Sequence, residues 1–283
     1  MTARNLTIKR RWSEVVLPSG MVITIPPDDN LKQVTVNDDI DPYAESATQE
    51  YPLGTKIEYG REVYRYTLCG GSNVEIGALC QSVVPLAGHI NELCGTTAVG
   101  DTTINFCPAV ATTDDLVENE LAQGYIYMYD AIGEGAKYRI KSHPAIVGAT
   151  GGLLTLYDPI RILTTTGTTK ATVMHNKFYK FIIIPGGTHV GITATPCGWT
   201  VAAVTANYYC WLQTKGPLTA LIDGTVVMGK EVRPSEDDDG AVAAMDYNEG
   251  TMADLGAVGW VMEIGSDAAG GAATYGLIDA RLE

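Results

Sequence analysis

At 283 residues the chain can bury roughly three quarters of the surface its unfolded form exposes, so folding requires neither a disulfide nor a metal, and one large domain or two smaller ones fit the length. Its composition, 46% hydrophobic and 18% charged, excludes disorder and coiled coil. Lys and Arg number 19 against 33 Asp and Glu, a formal charge of −14, which repels a phosphate backbone and argues against nucleic acid as a partner.

Residues 1–36 break that pattern: five basic side chains (Arg4, Lys9, Arg10, Arg11, Lys32) and three acids give +2, leaving −16 for the remainder. Turn signals at Pro18-Ser19-Gly20 and at Pro26 to Asn30 punctuate two β-prone pieces, Met21 to Ile25 and Gln33 to Val36. Residues 1–50 therefore read as an extended arm. In TKIEYGREVYRYTL, Gly60-Arg61 has the Gly-X form of a two-residue turn, setting Ile57 opposite Tyr64, Thr55 opposite Tyr66 and Glu58 opposite Val63. Further hairpins are expected where Thr97 to Val99 and Thr102 to Phe106 flank Gly100-Asp101, and where Tyr125 to Tyr129 leads through Gly133-Glu134-Gly135 into Lys137 to Lys141. One short helix is expected over Thr112 to Leu121, with a Thr or Asp cap, acids in its first turn and Gly124 beyond its end. Later β runs fall at Leu153 to Tyr157, Phe178 to Ile184, Tyr208 to Gln213, Thr225 to Met228, Val258 to Glu263 and Tyr275 to Ile278. The Thr-rich stretch 164–169 marks a seam between a first β unit, 51–162, and a second, 163–283. The expected fold class is mainly β: antiparallel barrel or sandwich units, an extended N-terminal arm and at most one short helix.

Catalytic signatures are missing from the sequence: neither GxGxxG, GxxxxGK[ST] nor GxSxG occurs. No enzyme activity and no cofactor are therefore expected. The longest apolar cluster, Phe181 to Ile184, ends at Pro185, too short for a membrane helix. The basic start lacks the apolar run of a secretory signal, so synthesis in a cytoplasm is expected. Six cysteines form neither CxxC nor a Cys/His cluster and are expected as buried free thiols rather than three disulfides. His89, His143, His175 and His189 lack partners at helical zinc spacing and are expected at turns or on the surface. Asn37 to Asp41 lacks the glycine and glutamate of an EF-hand, and Ser235 to Gly240 reads as a solvated loop tip. Tyr125, Tyr127 and Tyr129 share one face of a strand, either as a core wall with hydroxyls at its rim, the preferred reading, or as a contact stripe.

Several segments, YPLGTKIEYGREVYRYTLCGG (51–71), GYIYMYDAIGEGAKYRIKSHP (124–144), LLTLYDPI (153–160), YYCWLQTKGP (208–217), LGAVGWVME and YGLIDARL, together resemble virion proteins of tailed bacteriophages, of the capsid decoration or cement type. The resemblance spans most of residues 51–282. It implies a non-enzymatic structural protein on the capsid exterior that stabilises the phage head by bridging major capsid subunits, made in the host cytoplasm and without a membrane partner. For attachment, Lys9, Arg10, Arg11 and Trp12 are the candidate capsid-docking residues, facing an acidic, partly apolar strip of the shell, with any free sheet edge adding a strand to a neighbour. A homotrimer is expected, because linked copies multiply weak contacts. The alternative is a tail- or fibre-associated host-binding protein whose acidic loop Glu236 to Asp239 and tyrosines meet host glycan. A hydrolase built on β structure would need two converging carboxylates that no motif selects.

Overall fold

The computed structural model of the chain describes residues 4–7, 12–28, 31, 33–36, 40–109, 114–148, 150–186, 192–246, 256–265 and 274–283. In chain order its strands are β1 (Arg4–Thr7), β2 (Ser13–Val16), β3 (Val22–Ile25), β4 (Gln33–Val36), β5 (Lys56–Tyr59), β6 (Glu62–Leu68), β7 (Leu79–Gln81), β8 (Glu92–Leu93), β9 (Thr103–Phe106) and β10 (Tyr125–Asp130). They continue as β11 (Lys137–Ser142), β12 (Gly152–Leu156), β13 (Lys170–Met174), β14 (Ile182–Ile183), β15 (Pro196–Thr200), β16 (Tyr209–Ile222), β17 (Glu231–Pro234), β18 (Val242–Ala244), β19 (Gly259–Glu263) and β20 (Thr274–Arg281). A single turn of 3-10 helix spans Ala87–His89. The protein is mainly β, as the spacing of its turn signals predicts. No helix among the described residues is long and apolar enough to cross a membrane.

The chain divides into two compact units. One comprises residues 1–27, 33–83 and 177–283, and the other residues 28–32 and 84–176. This division differs from a seam at residue 162, because β6 pairs with β16 while β13 pairs with β10. Thr164, expected at that seam, is fully buried, and its hydroxyl hydrogen-bonds Thr97 at 2.9 Å and donates to the Gly95 carbonyl at 2.6 Å. The threonine run belongs to the second unit, with Thr164 and Thr169 buried at its ends and an exposed turn between them.

The first unit is built on β16, fourteen residues long, which changes partner midway. Tyr209 to Lys215 pair with β6, and Lys215 to Ile222 pair with β20. The switch falls at Gly216, whose φ of +91° favours glycine and where a Cβ would stand 2.7 Å from the Arg61 carbonyl oxygen. Beyond it, β16, β20, β19, β17 and β18 form a ring, closed by the parallel pairing of Ile222 with Val242. Toward the other side the sheet runs β16, β6, β5, β3, β2. The expected hairpin register holds, with Ile57 opposite Tyr64 and Glu58 opposite Val63, and Gly60 turns at φ +61°. The predicted arm is not free: its β2 and β3 belong to this sheet, where Ile23 and Ile25 of β3 are fully buried, and its β1 and β4 pair with each other in a separate two-stranded sheet.

In the second unit the order is β8, β13, β10, β11, β12, β9, and the two edges meet where Cys94, next to β8, bridges Phe106 of β9. Inward residues alternate along each strand: Ile104 and Phe106, Ile126 and Met128, Tyr138 and Ile140, Leu154 and Leu156. Each fully buried aliphatic or aromatic side chain contributes roughly 1.5–3 kcal/mol of transfer free energy. The helix expected over 112–121 is a correction: residues 112 and 113 lie outside the described residues, and the segment from 114 to 121 holds a bridge from Leu116 to Ile146 and a set of turns. Leu116 and Leu121 both enter the barrel core, whereas on a helix positions five apart point about 140° away from each other. Burial of both therefore selects turns. Thr225 to Met228, expected as a strand, is also irregular.

Candidate functional site

The residues chosen for docking lead to β2. Lys9, Arg10 and Arg11 lie outside the described residues, while Trp12 stands immediately before β2 and is 54% exposed. The Pro18-Ser19-Gly20 turn reverses the chain, with Gly20 at φ +83° donating its N–H to the Leu17 carbonyl at 2.9 Å. Register then sets Val15 opposite Ile23 and Val16 opposite Val22. Val15 leans on the cluster that holds Ile23, Ile25, Tyr66 and Trp211, and Glu14 and Val16 are exposed. Among the described residues β2 pairs on one side only, so its other side presents unpaired N–H and C=O groups. Such an edge, with an indole at one end and an exposed valine at the other, can accept a strand from another chain.

On the same sheet a groove of about 610 Å³ is lined by Glu58, Arg61, Lys215, Asp279, Arg281 and Glu283. Its charges largely satisfy one another. Arg61 and Arg281 both reach Asp279, at 3.3 and 3.4 Å, and Arg281 lies 4.0 Å above the Trp260 ring. Arg65 holds Glu283 through two parallel bonds of 2.8 and 2.7 Å, a fork that fixes the last residue to β6.

His89 and His143 are buried in the second unit and His175 is half-buried, a correction to their expected surface positions; His189 lies outside the described residues. His143 Nε2 accepts the Leu121 N–H at 2.9 Å while its Nδ1–H donates to the Pro144 carbonyl at 2.7 Å, so the ring is held in one neutral tautomer. Burial pulls its pKa below the ordinary imidazole value, against the opposing pull of the Pro144 carbonyl and Glu120. His89 Nε2–H donates to the Asp114 carbonyl at 3.0 Å, its ring lies 6.2 Å from that of His175, and His175 Nε2 meets Glu120 at 3.3 Å. The arrangement ties loops to the barrel. Among the described residues no group of three or more His, Cys, Asp or Glu side chains could hold a metal ion.

All six cysteines are free thiols and five are buried. Burial pushes Cys69 and Cys94 up to about 11 and Cys210 up to about 12, and it also raises Cys80 and Cys197 well above the ordinary thiol value. Thiols so protonated are poor nucleophiles.

The tyrosine row is a second correction to the preferred reading. Ile126 and Met128 point inward, and Tyr125 and Tyr129 are 40% and 50% exposed on the barrel's outer wall. Pairing with β11 sets Tyr125 beside Arg139 and Tyr127 beside Lys137. The alternation in KYRIKS carries the signal, since charges at 137, 139 and 141 must face solvent and fix the face of their cross-strand neighbours. No protein-family model, curated protein or solved structure matches the chain.

Proposed function

We propose that the protein is a non-enzymatic virion structural protein of the capsid decoration type, bound to the outer surface of a phage head and stabilising it by bridging major capsid subunits. The observation that carries this reading is the one-sided β2 strand, with Trp12 exposed at its end and the basic run Lys9 to Arg11 directly before it in sequence. An edge of this kind gains main-chain hydrogen bonds from any extended partner, and adjacent positive charge selects an acidic one. The charge of −14 keeps a particle coated with many copies soluble. Association as a homotrimer multiplies each weak edge contact when copies engage together. Neither nucleic acid nor membrane takes part.

Electron cryo-microscopy of purified particles tests the proposal. The expected result is density for this chain in many copies on the head exterior, with heads lacking it bursting at lower temperature. A few copies confined to the tail, or none in the virion, would overturn it.

A further inference from the structure

The charges of the groove on the first unit do not fully balance. Lys215 of β16 and Arg281 of β20 stand directly opposite each other in the strand register and are both exposed, a like-charge pair that repels. Arg61, next to the Gly60 turn, lines the same groove. Against these three cations stand Glu58, Asp279 and Glu283, but Glu58 is held by Lys56 at 2.9 Å and Glu283 by the Arg65 fork. Asp279 alone answers the groove's own cations, and it serves two of them through one oxygen: the Nη2 atoms of Arg61 and Arg281 both meet its Oδ2. Among the described residues Lys215 has no acidic partner. Three cations against one uncommitted carboxylate leave a surplus of two positive charges, on a chain of charge −14. Depth then sorts the signs. The Asp279 side chain is 15% exposed beneath those of Arg61 and Arg281, which are 72% and 54% exposed.

We propose that this groove binds a small phosphomonoester, with the phosphate between Lys215 and the Arg61–Arg281 pair. Each guanidinium carries five N–H donors, and Asp279 takes one from each, so the remaining donors are open to a ligand. Asp279 draws the two groups together, and Arg281 is steadied 4.0 Å above the Trp260 ring. The receptor is therefore assembled before the ligand arrives. A phosphomonoester carries close to two negative charges near pH 7, which matches the surplus, and guanidinium forks suit its oxygens. A lone carboxylate brings only half that charge. The groove's volume of about 610 Å³ exceeds what a phosphate fills and falls within the range of small-ligand sites, roughly 300–1,000 Å³. Gly60 and Gly216 add no side chains to its walls, which leaves room for a polar body such as a sugar. Nucleic acid fits poorly, since each added phosphodiester meets the repulsion of the whole chain. None of these residues belongs to β2, so the site stands or falls separately from capsid attachment.

The test is isothermal titration calorimetry of the full chain at pH 7.5 and low salt, with glucose 6-phosphate, inorganic phosphate, glucose and an oligothymidylate lacking terminal phosphate as probes. Glucose 6-phosphate and phosphate are expected to bind, and glucose to give no heat. Lys215→Gln, at an exposed position that folding does not depend on, is expected to weaken glucose 6-phosphate by about fivefold, and Lys215→Gln/Arg281→Gln by more than about tenfold. Lys137→Gln removes the same charge from the second unit and is expected to leave binding unchanged. At pH 5.5 the phosphate becomes a monoanion, and its binding to the wild-type chain is expected to weaken. Absent binding of both phosphate probes, equal affinity for glucose, tighter binding of the oligothymidylate, indifference to Lys215→Gln, or equal weakening by Lys137→Gln would each overturn the proposal.

Discussion

On β6 the alternate residues Tyr64 and Tyr66 are each 2% exposed, whereas on β10 the alternate residues Tyr125 and Tyr129 are 40% and 50% exposed. Both strands read as tyrosine at every second position, and what separates them is the residue in between. In YRY the intervening Arg65 takes the solvent side and holds Glu283, so the rings turn inward. In YIYMY the intervening Ile126 and Met128 take the core, so the rings turn out. Inward rings build a cluster in which Tyr66 lies 5.3 Å from Tyr51 and 5.0 Å from Trp211, and its hydroxyl accepts the Glu50 N–H at 3.0 Å. Of the outward rings, Tyr125 lies under Lys137, and Tyr127 lies against Tyr129. The same residue type therefore builds the core of one unit and the outer wall of the other.

The sharpest way to break that contrast is Trp211→Ala, which empties the centre of the inward cluster. A loss of about 3–5 kcal/mol is expected in denaturant unfolding of the first unit, and a loss below about 1 kcal/mol would show that the cluster is not a core. In the second unit the corresponding weak point is His143 rather than a tyrosine. Its folded pKa lies below that of the unfolded chain, near 6.5, so the unfolded state binds more protons in the window beneath that value. Stability is thus complete above about pH 6.5 and falls as pH drops through the window. Unfolding of the second unit followed from pH 8 to 5 should show this fall, and His143→Gln should flatten it.

Smaller effects separate the two rows themselves. Tyr66→Phe removes the acceptor of the Glu50 N–H and is expected to cost about 1 kcal/mol. Tyr129→Ser on the barrel exterior should change stability by less than about 0.5 kcal/mol. Equal losses at the two positions in matched melts would erase the distinction between an inward and an outward row.

The hairpin 56–65 was legible residue by residue because one glycine turn fixed its register. The barrel strands were legible from turn spacing, and the free thiols from a chain long enough to fold without disulfides and from the usual burial of cysteine. Two features were hidden. The histidine cluster joins positions 89, 143 and 175, far apart in sequence, and only closure of the barrel brings them together. The unit division depends on residues 84–176 being inserted between strands that pair with each other, β6 with β16, a long-range choice that local composition does not encode. Among the residues proposed for docking, Trp12 stands out in the sequence only as an aromatic beside a basic run, whereas its exposure and the edge position of β2 required the folded strand order.

Occupancy on undecorated phage heads, measured by sedimentation at low salt, bears most directly on attachment through the N-terminal edge. Wild-type protein is expected to saturate the heads, and a variant carrying Lys9→Ser, Arg10→Ser, Arg11→Ser and Trp12→Ala, with an unchanged melting profile, is expected to leave them largely bare. Full saturation by that variant would contradict the account.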